Sequence, residues 1–325
     1  MMIRAIREGL RTLAFLRNRD AIQARAAGAE GGILCAAGSG YRVAEVQPFT
    51  ARGANGDYSI FVSLPSAPPP AAGYPVLFML DGNCWVAGAA EALRLQSRFS
   101  AQSGIAPTLL VAVGYPGDAP INLGRRAYDF LPKHSSGKLS ERFMQGAPWH
   151  QPGGAEAFLD FLTGPLRDDI ARRYPVDLAR QILCGHSFGG FFALYSLLTR
   201  PAAFRRYAAL SPALWWDDAR LLRDADRLIA ALPPGLEADL LMAVGETETP
   251  DRPEISARMI ADAADLAARL AREGPGGLRV TNVVLEGENH QSLPPTAFSR
   301  VLRFASAPLD RDLEPQAAPA QEHLA

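Results

Sequence analysis

The run Cys184-Gly185-His186-Ser187-Phe188-Gly189-Gly190 sets one hydroxyl between two glycines at Gly-x-Ser-x-Gly spacing, directly after the apolar run "QIL". A serine so placed is a candidate nucleophile, because a sharp strand-to-helix turn lifts it above a sheet edge and leaves no room for side chains beside it. The competing reading is a serine that merely caps the next helix. Capping does not call for glycines on both sides, so the nucleophile reading is preferred.

A serine hydroxyl attacks a carbonyl only when a base takes its proton. Of the five histidines, His186 lies inside the turn and its side chain is expected to point away from that of Ser187. His134 and His150 fall in an irregular segment, and His323 is close to the C-terminus. His290, in "LEGENHQS" after the last apolar run, is the expected base, since chain order places it after both serine and acid. The acid is sought after the preceding strand, in "LLMAVGETETPDRPE". Glu248, three residues past Gly245, is the choice; Glu246 and Glu254 stay open, and any of these or Asp251 could be surface charge. Backbone donors for an oxyanion are expected from Phe188, just after the nucleophile, and from Asn83 in "DGNCWV".

These groups need a scaffold. Residues 41–65 alternate and turn as two or three antiparallel strands would. Six short apolar runs follow: "PVLFML", "TLLVAV", "QILC", "YAAL", "LLMAV" and "RVTNVVL", each closed by turn or polar residues. Nearly continuous runs of this kind are what parallel strands buried on both faces look like. Helical spacing lies between them, at Phe158, Phe161, Leu162, Leu166 and Ile170, where Pro165 is expected to kink or split the helix, and again in "EISARMIADAADLAARLAREG". Strands alternating with helices give a mostly parallel α/β sheet. Residues 128–154 read as neither strand nor clear helix, and a lid or substrate loop is expected there.

The 325 residues include 48% hydrophobic and 21% charged residues, values that suit a globular chain with a sizeable core. A formal net charge of -1 favours neither nucleic acid nor an anionic membrane. Cys35, Cys84 and Cys184 lie far apart, without metal-ligand spacing, so neither a metal site nor a disulfide framework is expected. Cys84 and Cys184 flank the candidate site and are read as buried, inert thiols. The N-terminal spacing Ile3, Ile6, Leu10, Leu13, Leu16 is that of a basic amphipathic helix. The apolar run there is shorter than the roughly 7–15 residues of an export signal, so a cytoplasmic location is expected. The expected organisation is an extension over 1–40, a catalytic domain over 41–307 and a flexible tail over 308–325.

Taken in order, "GYPVLFMLDGN", "VAVGYP", "RRAYDFLP", "GGAEAFLDFL", "GHSFGGFFALY", "LSPALWWDD", "AVGETE" and "ENHQS" resemble the esterase D-like branch of the α/β hydrolases, and within it the trilactone siderophore esterases. The resemblance spans about residues 41–305. It implies an α/β-hydrolase fold, Ser187 as nucleophile, His290 as base, no cofactor, and hydrolysis of ester bonds in catecholate siderophores. The acid carries over less directly, because members differ in where it lies and some manage with a Ser-His pair. An anionic, aromatic ester of that kind would be met by guanidinium and flat apolar groups. Arg125, Arg126, Trp149, His150 and Trp215 are the candidates, against the alternative that the arginines pair with Asp129 or Asp118 and that Trp215 and Trp216 are core. Other functions compatible with these residues are a general carboxylesterase or thioesterase, an acyltransferase of the same fold, and a hydrolase-like binding protein.

Overall fold

Every one of the six apolar runs is a strand. The computed structural model describes residues 46–53, 55–133, 151–248 and 258–309. Its strands are β1 (Val46–Gly53), β2 (Gly56–Ser63), β3 (Tyr74–Leu80), β4 (Leu109–Gly114), β5 (Val176–His186), β6 (Arg206–Leu210), β7 (Ala238–Gly245) and β8 (Leu278–Leu285). They form one sheet in the order β1-β2-β4-β3-β5-β6-β7-β8. The pairs β1–β2 and β2–β4 are antiparallel and all others parallel, so β1 and β2 form the expected hairpin.

Alternation along β3 shows why the central runs are apolar throughout. Val76, Phe78 and Leu80 face one core, Leu77 and Met79 the other. Helices cover both faces, as the α/β-hydrolase fold requires. On one side lie α1 (Gly82–Ser97) and α7 (Leu293–Ser306). The other side holds α2 (Leu123–Phe130), α3 (Ala155–Phe161), α4 (Arg167–Arg173), α5 (Phe188–Thr199) and α6 (Met259–Glu273). After β3 the chain moves outward to β4, and β5 then pairs on β3's other side. The carboxyl ends of β3 and β5 therefore flank a topological switch point, where open α/β sheets form their sites.

Pro165 splits its α-helix as expected, without ending it: one π-helical turn, Leu162–Leu166, contains it and joins α3 to α4. A wider turn accommodates a ring that lacks the N–H and crowds the preceding turn. Residues 128–130 are helical rather than irregular, because α2 runs on to bury Phe130 in the core. The ends of the following segment meet, with Gly153 N–H donating to Leu131 O at 3.0 Å and Gly154 N–H to Tyr128 O at 2.9 Å. Residues 134–150 between them lie outside the described residues, as do 1–45 with the expected N-terminal helix. At the other end the chain is packed through Leu309, which is buried, and Arg206 donates to the carbonyls of Ala305 and Pro308. No described helix is long and apolar enough to cross a membrane.

Candidate active site

Between the last residue of β5 and the first of α5, Ser187 adopts φ 60° and ψ −114°. A non-glycine residue in such a conformation costs on the order of 1–3 kcal/mol and persists only when its surroundings fix it. Here Ser187 N–H donates to Leu210 O at 2.9 Å, and Ser187 O accepts from Phe191 N–H at 2.9 Å and Ala213 N–H at 3.1 Å. The Ser187 side chain makes no capping bond to α5, which removes the alternative reading of this serine. From 181 to 190 only Ser187 is not fully buried. The glycines divide the steric work unevenly. A Cβ on Gly185 would lie 2.3 Å from Gly189 O, and one on Gly190 2.7 Å from Leu210 O. A Cβ on Gly189 would meet Leu80 at an ordinary 3.5 Å, so what the turn needs at 189 is close backbone approach to Gly185.

The loops after β7 and β8 supply the other two groups. His290 Nδ1 lies 2.9 Å from Glu248 Oε2, with the imidazole partly exposed and the carboxylate buried. Oε1 of Glu248 accepts from Gly245 N–H at 3.2 Å and from the Ser211 hydroxyl. Burial pushes this carboxyl up, but the bond and charge of His290, with Ser211 and Gly245, outweigh it and hold the group below the usual glutamate range. Glu246 is exposed and accepts from Gly287 N–H at 2.9 Å. Asp251 and Glu254 lie outside the described residues. The His290 ring packs on His186, the residue before Ser187, with centroids 4.5 Å apart. His186 is itself buried against Trp85, and burial, His290 and Arg126 together push its pKa well below the ordinary value.

Across the switch point, Asp81 follows β3 in the left-handed region (φ 54°, ψ 45°), and Gly82 presses its backbone on β4. Asn83 is the second residue of α1 and Phe188 the first of α5. First-turn amides have no carbonyl within their own helix, and a helix N-terminus favours negative charge. The amides of Asn83 and Phe188 thus both lie in first turns at this edge. The Asn83 side chain is engaged elsewhere, since Oδ1 accepts from Tyr115 N–H at 2.8 Å, while Nδ2 donates to Tyr115 O at 2.9 Å and Gly117 O at 3.2 Å. This ties the loop after β3 to the loop after β4.

Of the substrate-contact candidates, Arg125, Arg126 and Trp215 take the alternative placement, paired with carboxylates or packed in the core. Arg126 is buried; Nε and Nη2 donate to the two Asp81 oxygens at 2.9 and 3.0 Å, and Nη2 also to His186 O at 3.2 Å. Its fork joins the loop after β3 to the strand end before Ser187. Arg125 sits between the Tyr58 and Tyr115 rings, 5.0 and 5.1 Å from their centroids, with Asp129 at 3.6 Å. Asp129 is fully buried and also accepts from Asn55 at 2.8 Å; burial raises its carboxyl pKa despite these partners. Trp215 and Trp216 belong to the core, packed on Phe188. Trp149 and His150 lie outside the described residues. Cys184 is buried and its thiol is pushed up to about 12, whereas Cys84 is only half-buried. Among the described residues no group of three or more His, Cys, Asp or Glu side chains could hold a metal ion.

Sequence reasoning missed Asp81, the Asn83 side chain and Ser211. The visible signals were an aspartate before glycine at a strand end, and a serine before proline at the end of another.

Comparison with known proteins gives a consistent pattern. The family described as "Putative esterase" matches residues 52–280. The ferri-bacillibactin esterase BesA of Bacillus subtilis is 38% identical over 265 residues, 81% of this chain and 90% of that protein. A siderophore triacetylfusarinine C esterase of Aspergillus fumigatus is 30% identical over 251 residues, 70% of this chain and 80% of that protein. Among solved structures, the BES protein from Bacillus cereus superposes with a TM-score of 0.74 at 32% identity, covering 83% of this chain and 99% of that one.

Proposed function

The chain belongs to the "Putative esterase" family and is an ester hydrolase, and from that premise we propose that it cleaves siderophore esters through a serine acyl-enzyme. Ser187 Oγ attacks the ester carbonyl while His290 takes its proton. The carbonyl π electrons move onto oxygen, and the amides of Asn83 and Phe188 receive that charge. Collapse of the tetrahedral intermediate expels the alcohol, which leaves with the proton held by His290. Water, deprotonated by His290, then attacks the acyl-enzyme; the acid departs and the serine hydroxyl is restored. Glu248 keeps the imidazole in one tautomer and stabilises its charged form.

The observation that carries this reading is the buried Glu248 carboxylate, bonded to a partly exposed His290 beside a serine turn at φ 60°. The catalytic unit of this proposal is the span from about 41 to 307, in keeping with the family match over 52–280. The siderophore substrate is supported by the relatives, which are named as esterases of ferri-bacillibactin and of the siderophore triacetylfusarinine C. Arg126 and Arg125 add nothing to that support, because Asp81 and Asp129 already neutralise them.

Mass spectrometry of products from an enterobactin-type trilactone, iron-free and ferric, run beside p-nitrophenyl acetate, tests the proposal. Wild type should release linear hydroxy acids from the trilactone, and Ser187→Ala should lose nearly all turnover of both esters while staying folded. Undiminished turnover by Ser187→Ala would refute the nucleophile. Cleavage of p-nitrophenyl acetate without any attack on the trilactone would leave a general carboxylesterase.

A further inference from the structure

One turn touches both the nucleophile and the acid. β6 ends at Leu210, and the chain bends through Ser211, Pro212 and Ala213. Leu210 O and Ala213 N–H bond the two sides of Ser187, at 2.9 and 3.1 Å. Ser211 N–H donates to Ala243 O on β7 at 2.7 Å, and its hydroxyl donates to Glu248 Oε1. Ser211 is fully buried and left-handed, with φ 41°. Glycine would adopt that conformation at less cost, so a serine there needs a use for its side chain.

We propose that Ser211 is a positioning residue that acts through Glu248. Its hydroxyl and Gly245 N–H together occupy Oε1, which leaves Oε2 for His290 and fixes the plane of the carboxylate. This rests on the reading of Ser187, His290 and Glu248 as one catalytic unit. A carboxylate has two equivalent oxygens and several acceptor sites. Buried with only His290 as partner, it could rotate and present either oxygen; held on one side by two donors, it meets the imidazole in one geometry. The same turn braces Ser187, so acid and nucleophile are referred to one short piece of backbone rather than to two independent loops.

The test is kinetic, with p-nitrophenyl acetate as probe. Ser211→Ala and Ser211→Gly should each lower kcat about 10- to 100-fold, the range for one bond to a charged group, with KM within about twofold. Glycine suits the backbone, so equal losses in the two variants assign the effect to the hydroxyl. In a Glu248→Ala background the same substitutions should change kcat by less than about threefold, because the group they act through is gone. The inference is overturned by wild-type kcat in Ser211→Ala, by recovery in Ser211→Gly, or by a loss that persists undiminished without Glu248. Ser187→Ala is measured alongside. If that variant keeps its turnover, the catalytic unit itself falls and this role with it; if it is inactive while Ser211→Ala is normal, only the positioning role fails.

Discussion

Replacing Arg126 by methionine keeps most of the side-chain volume and removes the charge that faces Asp81. The pair is enclosed, with side chains 8% and 2% exposed, so solvent does little to screen it. Two charge-assisted bonds to Asp81 and one to His186 O are lost together. Breaking a buried pair by removing one partner costs about 3–5 kcal/mol, most of it from the charge left behind. At roughly 2–4 °C per kcal/mol for a domain of this order, Tm should fall by on the order of 10 °C. Asp81→Asn combined with Arg126→Met should recover a large part of that loss, because the stranded carboxylate is gone and asparagine tolerates the left-handed backbone at 81. Arg126 also holds the Asp81 loop against the serine turn, so kcat should drop on a catecholate trilactone and on p-nitrophenyl acetate alike, with the ratio of their KM values unchanged. Calorimetric unfolding and steady-state kinetics of the three variants decide the matter. A Tm within about 2 °C of wild type, with KM raised only for the anionic ester, would show the structural reasoning to be wrong and restore Arg126 as a substrate contact.

Glu248→Gln should lower kcat about 10²- to 10⁴-fold by losing the tautomer and charge control of His290, whereas exposed Glu246→Gln should stay within about twofold; equal small effects in steady-state assays would leave a Ser-His pair without an acid. His186 gives a pH-dependent signature. Its folded pKa lies well below the ordinary histidine value, so below about pH 6.5 the unfolded chain takes up a proton that the folded chain refuses. Its contribution to stability is thus lost as pH falls from the unfolded value toward the depressed folded one, by up to about 1.4 kcal/mol per pH unit. Urea titrations of wild type and His186→Gln between pH 7 and 5 should show that slope reduced in the variant; identical slopes would contradict it.

The parts of the molecule written in consecutive residues were legible without coordinates. Six apolar runs became six strands, because burial on both faces leaves a continuous pattern that needs no knowledge of neighbours. Gly185 and Ser187 announced a sharp turn, since the requirement for glycine is set by atoms four residues away. That Glu248 and His290 meet was reachable from the distance of Glu248 to Gly245, whose amide it accepts from, and from chain order. What tertiary structure alone decided lies between loops far apart in sequence. Arg126 looked like a free cation near a strand end, and its near neighbours offered Asp129 and Asp118. The partner it found, Asp81, is 45 residues upstream and became available only because β3 lies between β4 and β5. Ser211 reaches Glu248 across 37 residues because β6 and β7 are adjacent, and His186 meets His290 because the loop after β8 returns over the end of β5. Periodicity records which way a side chain faces, but strand order determines what it faces, and that order is fixed by the packing of the whole sheet.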